Sequence, residues 1–399
     1  MSEQLSYDEV ENRKALAREL LNLGRTSLDD VNYVDTTLLP QQEALVAALA
    51  IDFPDGLAPT PVELNPKPRP EDKLPKADVV IVTWTVDEVE GLASVFTPGF
   101  TRDKWYRYTH LYDEVYAPQI RAHAPAATAK RIGSYFMVNL NAKKVLCFKS
   151  ELHLNQDGIR RYNNTDQTSL PVRNMFQQII EETGCKHILT VGTCGGIQLE
   201  HDLGDVLVTR AAKFRCAQEF GNAPFNHASY KSEWDIPTTH FAKAEELMKA
   251  FAQNLEEPEF GPPTKRHTGT DWTLTRKFIP KIIHEKATDP NKKLAPFQPI
   301  LTTDYFEFGH SENAAELWGE GCGVEMGDAV LGLVCADLQN PPKWAIIRNV
   351  SDPQINGTLA VRSRALDMRV HWAVWYYENY GYWTSVTGAL TTWSVIAGL

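Results

Sequence analysis

The chain has 399 residues, 43% of them hydrophobic and 23% charged, with a formal net charge of -11. That length accommodates one large α/β domain with an appendage, and the composition is globular rather than fibrous or disordered. The acidic balance excludes a general basic field for a nucleic-acid polymer, while leaving room for a locally positive site that takes a small anion.

From the N-terminus, residues 1–11 are polar and acidic, unlike a signal peptide. Val10, Leu16, Leu20 and Leu23 share one side of a helix expected over residues 7–23, and a second short helix is expected over 41–50. Residues 53–78 then carry Pro54, Pro59, Pro61, Pro66, Pro68, Pro70 and Pro75, which favour an extended linker. The expected division is therefore an N-terminal helical extension with a Pro-rich linker over 1–75, and one main domain over 76–399. Cys147, Cys185, Cys194, Cys216, Cys322 and Cys335 are scattered without a CxxC pair, so a reducing, cytoplasmic setting is expected.

The main domain opens on 78–84, an apolar run suited to a strand buried on both faces. Strands at 134–140 and 143–148 flank Asn141-Ala142 as a hairpin. A helix is predicted over 172–182, closed by Gly184, followed by strands at 187–191 and 205–209 and a helix at 242–252. Further on come a strand at 300–303, helices at 314–318 and 328–338, a strand at 344–350 and an aromatic helix over 359–377. Gly381–Leu399 has no charged residue, but Gly, Ser and Thr dilute it and no basic flank orients it. A buried terminal helix is expected there rather than a membrane contact. Strands alternating with helices predict an α/β fold: a three-layer sandwich with a central mixed β-sheet flanked by helices.

Four segments carry groups suited to chemistry. Val191-Gly-Thr-Cys-Gly-Gly-Ile197 follows a strand, and its glycines suit a sharp turn with amides facing a ligand; it has neither the Lys of a P-loop nor a GxGxxG spacing. Arg348-Asn-Val-Ser-Asp352 ends at a strand exit, where a carboxylate is placed for proton transfer or, equally, for capping a helix. Gly323-Val-Glu-Met-Gly-Asp328 offers Glu325 and Asp328 to vicinal hydroxyls, or to a helix N-terminus. Thr83-Trp-Thr-Val-Asp-Glu88 follows the first strand, and Glu88 suits a general base toward water or the first turn of a helix. The isolated His110, His153 and His310 lack metal-ligand spacing, so no metal is expected.

Taken in order with Gly204-Asp-Val-Leu-Val208 and Thr303-Asp304-Tyr-Phe306, these segments resemble the nucleoside phosphorylase-I superfamily over residues 78–380, with a divergent stretch at 215–296. That superfamily includes purine nucleoside and uridine phosphorylases, methylthioadenosine nucleosidases and AMP nucleosidase. The resemblance implies a phosphorylase/hydrolase-like fold, a catalytic role for the main domain, and cleavage of the N-glycosidic bond of a purine nucleoside or nucleotide. It further implies that Gly192, Thr193, Gly195 and Gly196 line the ribose and nucleophile pocket. Val324, Glu325 and Met326 would lie along the ribose, and Asp352, beside Ser351, would share a proton with purine N7. Uridine-specific members lack that Asp, hence the expectation of a purine.

Family nucleosidases place a water-activating Glu where Glu88 stands, and phosphorylases place an arginine where this chain has Thr190. Both favour hydrolysis. Phosphorolysis is the alternative, with phosphate as co-substrate held by Arg160, Arg161 or Arg173, and no other cofactor is expected. The family's ribose-binding Glu is replaced by Gly327, so Glu325 or Asp328 is expected to take over, or the substrate has a modified sugar or 5′-phosphates. That departure and the 1–75 appendage motivate a third reading, a non-catalytic nucleotide-binding effector module. Arg362 or Arg364 is a candidate partner for Asp352, and Phe214 or Phe220 for stacking on the base. The expected partners are a small-molecule purine nucleoside or nucleotide and further copies of the chain in a homo-oligomer, through the aromatic C-terminus; neither a nucleic-acid polymer nor a membrane is expected.

Overall fold

The computed structural model describes residue 49 and residues 51–122, 124–154, 158–159, 167–198, 201–252, 279–284, 298–304, 317, 319–352 and 368–399; at 250–252, 352 and 368–379 it describes the backbone alone. The expected helices at 7–23 and 314–318, Phe306, and Arg160, Arg161, Arg362 and Arg364 lie wholly or largely outside these residues.

The elements run β1 (Thr60–Val62), β2 (Val79–Thr83), α1 (Val86–Phe96), β3 (Tyr106–Tyr108), α2 (Pro125–Ala129), β4 (Gly133–Leu140), β5 (Lys143–Ser150), α3 (Pro171–Thr183), β6 (His187–Gly196), β7 (Val206–Thr209), β8 (Ala211–Phe214), β9 (Ser229–Lys231), α4 (Phe241–Ala252), β10 (Ile282–His284), β11 (Ile300–Thr302), β12 (Gly323–Glu325), α5 (Asp328–Asp337), β13 (Lys343–Asp352) and α6 (Met368–Ala397). All the strands join one mixed sheet. At its centre β5, β2, β6 and β13 run parallel, and most of their residues are buried, with apolar runs at 79–82, 145–148 and 344–347, as a sheet covered on both faces requires. β6 branches: residues 187–190 pair with β2, whereas Gly195 and Gly196 pair antiparallel with Val324 and Gly323 of β12.

Helices cover both faces. α6 packs on α1, α4, β6 and β13, while α3 and α5 pack together on the opposite side. Alternation along β13 states the same division: Arg348 reaches Asp328 of α5, and its neighbour Asn349 abuts Gly388 of α6. The sheet and helices thus form the expected three-layer sandwich.

Local chemistry fixes the boundaries. Asn141 and Ala142 both adopt positive φ, 47° and 57°, as the two-residue turn of the β4–β5 hairpin demands. α3 starts on Pro171 and ends on Gly184 at φ 62°, the residue that takes a left-handed C-cap at least cost.

Two differences from the sequence reading have physical causes. The Pro-rich stretch contributes β1, which pairs with β4, while Leu57, Leu64 and Leu74 pack against the core. Proline at 61 is tolerated because β1 is an edge strand. The C-terminus forms one continuous helix where two segments were expected. In α6 the hydroxyls of Thr384, Thr391, Thr392 and Ser394 donate to carbonyls three or four residues earlier, so most of this buried polar stretch has its donors satisfied, the Ser385 hydroxyl being an exception. Trp393, Val395 and Ile396 of that helix lie in the protein core. No helix among the described residues is long and apolar enough to cross a membrane.

Candidate active site

The C-terminal ends of β2, β6 and β13 converge, and there the sequence concentrates charge. Thr85 caps α1, and Glu88 completes a capping box with it. One oxygen of Glu88 does more than capping needs: Oε2 accepts from Thr83 Oγ1 at 3.1 Å, Trp84 N at 3.0 Å and Thr85 N at 2.9 Å. Its Oε1 reaches across the sheet to Thr193, accepting from the backbone N at 2.7 Å and from Oγ1 at 2.9 Å. Five donors converge on one carboxylate that is 4% exposed. Helix-start chemistry and contact with the glycine motif are therefore both properties of this residue.

Gly192–Gly196 is strand, not turn: it is the end of β6, paired in parallel with β13. Its glycines meet a different demand. A Cβ on Gly192 would stand 2.5 Å from both Glu88 Oε1 and Arg348 Nη1, so the missing side chain is what lets those two groups close over the strand. Gly195 is the register partner of Val324 on one side and of Asp352 on the other. The pairing of β13 with β6 shifts between Val350 and Asp352, a bulge at Ser351, whose Oγ lies 3.4 Å from Cys194 O. The backbone of Asp352 thereby adjoins the glycine strand; its side chain lies outside the described residues.

Arg348, which sequence reasoning did not single out, is the hub. It is 3% exposed, donates from Nε to Asp328 at 2.8 Å and from Nη2 to the other Asp328 oxygen at 2.5 Å, and reaches Glu325 at 3.3 Å and Thr193 O at 3.3 Å. Glu88 Oε1 lies 3.9 Å from Nη1, and the Trp84 ring covers the guanidinium at 4.9 Å. Burial alone would weaken the protonated form of Arg348, but Asp328 and Glu325 outweigh it and hold its pKa above the ordinary value. Glu325 in turn accepts from Thr302 Oγ1 and from Asp328 N at 3.0 Å, anchoring the start of α5. Burial, with Asp328 adding repulsion, pushes the Glu325 carboxyl up to about 8. The only sequence signal for this hub was an arginine inside a run predicted to be buried strand.

Other expected residues fall as follows. Both oxygens of Asp328, which is fully buried, are gripped by Arg348, and those of Glu325 serve Arg348, Thr302 and the α5 amide. Both carboxyls are thus buried and engaged by protein donors rather than presented to a diol. Val324 packs with Ile197, Leu301 and Leu317, and Met326 is half-buried beside it. At Gly327 a Cβ would meet Trp84 at 3.5 Å, ordinary contact, so the position is roomy but lies against an aromatic ring. Phe214 and Phe220 are core residues packed on Phe225, with 0% and 2% exposure. Arg173 pairs with Asp337 on the surface, and Thr190 is fully buried.

The profile of the phosphorylase superfamily matches residues 117–366. No curated protein sequence matches the chain. Among solved structures, a Helicobacter pylori MTAN mutant with 5′-methylthioadenosine in its active site is 12% identical, with a TM-score of 0.42, covering 81% of this chain and 99% of that one. Futalosine hydrolase of H. pylori is 14% identical, with a TM-score of 0.41, covering 80% and 97%. The 5′-methylthioadenosine/S-adenosylhomocysteine nucleosidase of Neisseria meningitidis, in complex with methylthio-immucillin-A, is 16% identical, with a TM-score of 0.40, covering 81% and 100%. With the profile spanning more than half of the sequence, the chain belongs to the phosphorylase superfamily.

Proposed function

We propose that this protein hydrolyses the N-glycosidic bond of a purine nucleoside or nucleotide, releasing the free base. The observation that carries hydrolysis over phosphorolysis is the charge around Arg348: three acidic groups, Glu88, Glu325 and Asp328, face one guanidinium that they already engage, so two carboxylates oppose one cation even while Glu325 holds its proton. Such a cluster repels a phosphate dianion and tolerates a neutral water. Thr193 is its half-buried member, so its hydroxyl is the atom a substrate-side water can reach. With that hydroxyl donating to Glu88 at 2.9 Å, a proton leaving the water passes through Thr193 to the carboxylate. Arg348 holds Thr193 O and Glu88 in place for this transfer.

On the other side of Gly195, Asp352 supplies the acid. As the C1′–N9 bond lengthens, the base gains electron density and the ribosyl becomes oxocarbenium-like; a proton shared with N7 lets the purine depart neutral. The register of Asp352 against Gly195 puts this residue at the same strand end as Thr193, so attack and departure have one floor between them. Gly192, Gly195 and Gly196 with Val324 and Met326 form the sugar side, and Ser351 shapes the bulge before the acid. The test is product chromatography with AMP, ATP, adenosine, inosine and methylthioadenosine, with and without phosphate. Free base and free sugar in phosphate-free buffer are expected; strict phosphate dependence would replace hydrolysis by phosphorolysis, and ligand binding without turnover across the panel would mark an effector module.

A further inference from the structure

The bulge that precedes Asp352 is clamped from outside the active site. Gly204 N donates to Val350 O at 2.9 Å, and Val350 N donates to Asp205 O at 2.8 Å, so the turn before β7 holds both backbone groups of the last regular residue of β13. That turn is itself pinned three ways. The Asp205 carboxylate, fully buried, accepts from Asp202 N at 2.9 Å and Lys281 N at 3.1 Å and pairs with Lys281 Nζ at 2.9 Å. Thr387 of α6 places its hydroxyl 2.8 Å from Gly204 O, sharing it with Thr384 O at 2.6 Å. Gly204 sits at φ 82°, and a Cβ there would fall 2.5 Å from the Trp383 ring.

We infer that Gly204 and Asp205, with Thr387 behind them, are positioning residues for Asp352: the turn sets where the bulge at Ser351 re-aims the chain, and hence where residue 352 meets the substrate. None of the three belongs to the charge cluster around Arg348. The inference rests on the proposed acid role of Asp352, and it adds a chain of contacts, α6 to turn to strand, through which that acid is placed. Bulges redirect one residue of a strand, and a clamp on the residue just before it fixes the direction.

Three variants test it beside Asp352→Asn, with kcat and KM measured for the best substrate of the panel and folding checked by circular dichroism. Gly204→Ala forces both a strained φ and a collision with Trp383; a kcat loss of about 100-fold with KM nearly unchanged is expected, the cost typical of a misplacement near 1 Å. Thr387→Val removes the hydroxyl and keeps the shape, and should lower kcat while Thr387→Ser, which keeps the hydroxyl and loses the methyl, restores it. A packing role would give the reverse order. If Gly204→Ala does not fold, the Thr387 pair decides. Unchanged kcat in Thr387→Val and in folded Gly204→Ala, with Asp352→Asn inactive, overturns the positioning claim alone; an active Asp352→Asn overturns the acid assignment beneath it.

Discussion

A methyl group on Gly192 would stand 2.5 Å from Glu88 Oε1, and at the same distance from Arg348 Nη1. Strand β6 is therefore bare at the one point where a carboxylate from α1 and a guanidinium from β13 meet above it. Gly192→Ala must push both groups apart. It is expected to destabilise the fold by about 1–3 kcal/mol, as overpacking does, and to lower kcat far more than KM, because Glu88 loses Thr193. Steady-state kinetics with urea unfolding checks this; wild-type kcat in the alanine variant would remove Glu88 from the mechanism.

Asp352→Asn keeps the size of the side chain and removes the transferable proton. A loss of about 10²–10⁴-fold in kcat, with binding of a nucleoside analogue within roughly tenfold of wild type, is the signature of a lost general acid. Analogue affinity by calorimetry alongside kcat separates this from a binding defect. Equal losses in affinity and kcat would instead make Asp352 a ground-state contact.

Arg348 is the only cation that the three carboxylates face among the described residues of the cluster, and it is 3% exposed. Arg348→Met retains the length of the stem and leaves the Asp328 carboxylate buried with no counter-charge. Breaking a buried pair from one side costs about 3–5 kcal/mol, so the midpoint of urea unfolding should fall accordingly. Replacing Asp328 by Asn in the same background should recover part of that loss, since it removes a carboxylate that no longer has a partner.

The Glu325 carboxyl gives a pH dependence of definite sign. Burial first, then Asp328, raise its folded pKa from 4.5 to about 8. Between those values the folded state binds the proton more tightly than the unfolded state does. This stabilising contribution is therefore complete below 4.5 and is lost as the pH rises through 8. Glu325→Gln does not titrate, so its stability relative to wild type should improve steadily from pH 5 to pH 8. Parallel stability curves for the two proteins over that range would refute the assignment.

Much of this arrangement was legible in the chain because strong local rules agreed with the tertiary answer. The apolar runs of β2 and β13, the Asn141-Ala142 turn and the Gly184 cap each carry one dominant signal, and the structure follows them. Glu88 was readable both as a helix-start acid and as a site acid, and its two oxygens divide between those duties. The glycine strand was misread as a turn because glycine signals open space without saying what fills it; here Glu88 and Arg348 do. Arg348 itself was hidden, since nothing local marks a strand arginine whose partners, Glu88, Thr193, Glu325 and Asp328, come from four other elements. The three-residue strands β1, β3, β9 and β10 are too short to show a period.

The contact between Gly388 of α6 and Asn349 of β13 offers a last test, on the opposite face of the sheet from Asp328. Asn349 is fully buried, and neither its Nδ2 nor its Oδ1 has a hydrogen-bond partner. Such an amide carries a desolvation cost that bonds do not offset, and its closest constraint is steric: a Cβ at 388 would lie 2.6 Å from Oδ1. Gly388→Ala should then lift α6 from β13 and destabilise the protein, although alanine is the better helix former by about 1 kcal/mol. Asn349→Leu has the opposite expectation, because it exchanges an unsatisfied amide for an apolar group of similar size and leaves the hydrogen bonds of Arg348 untouched. Urea unfolding of both variants decides: a more stable Gly388→Ala would mean that helix propensity outweighs the clash, and a less stable Asn349→Leu would mean that the amide is held by a polar partner within the α6–β13 layer.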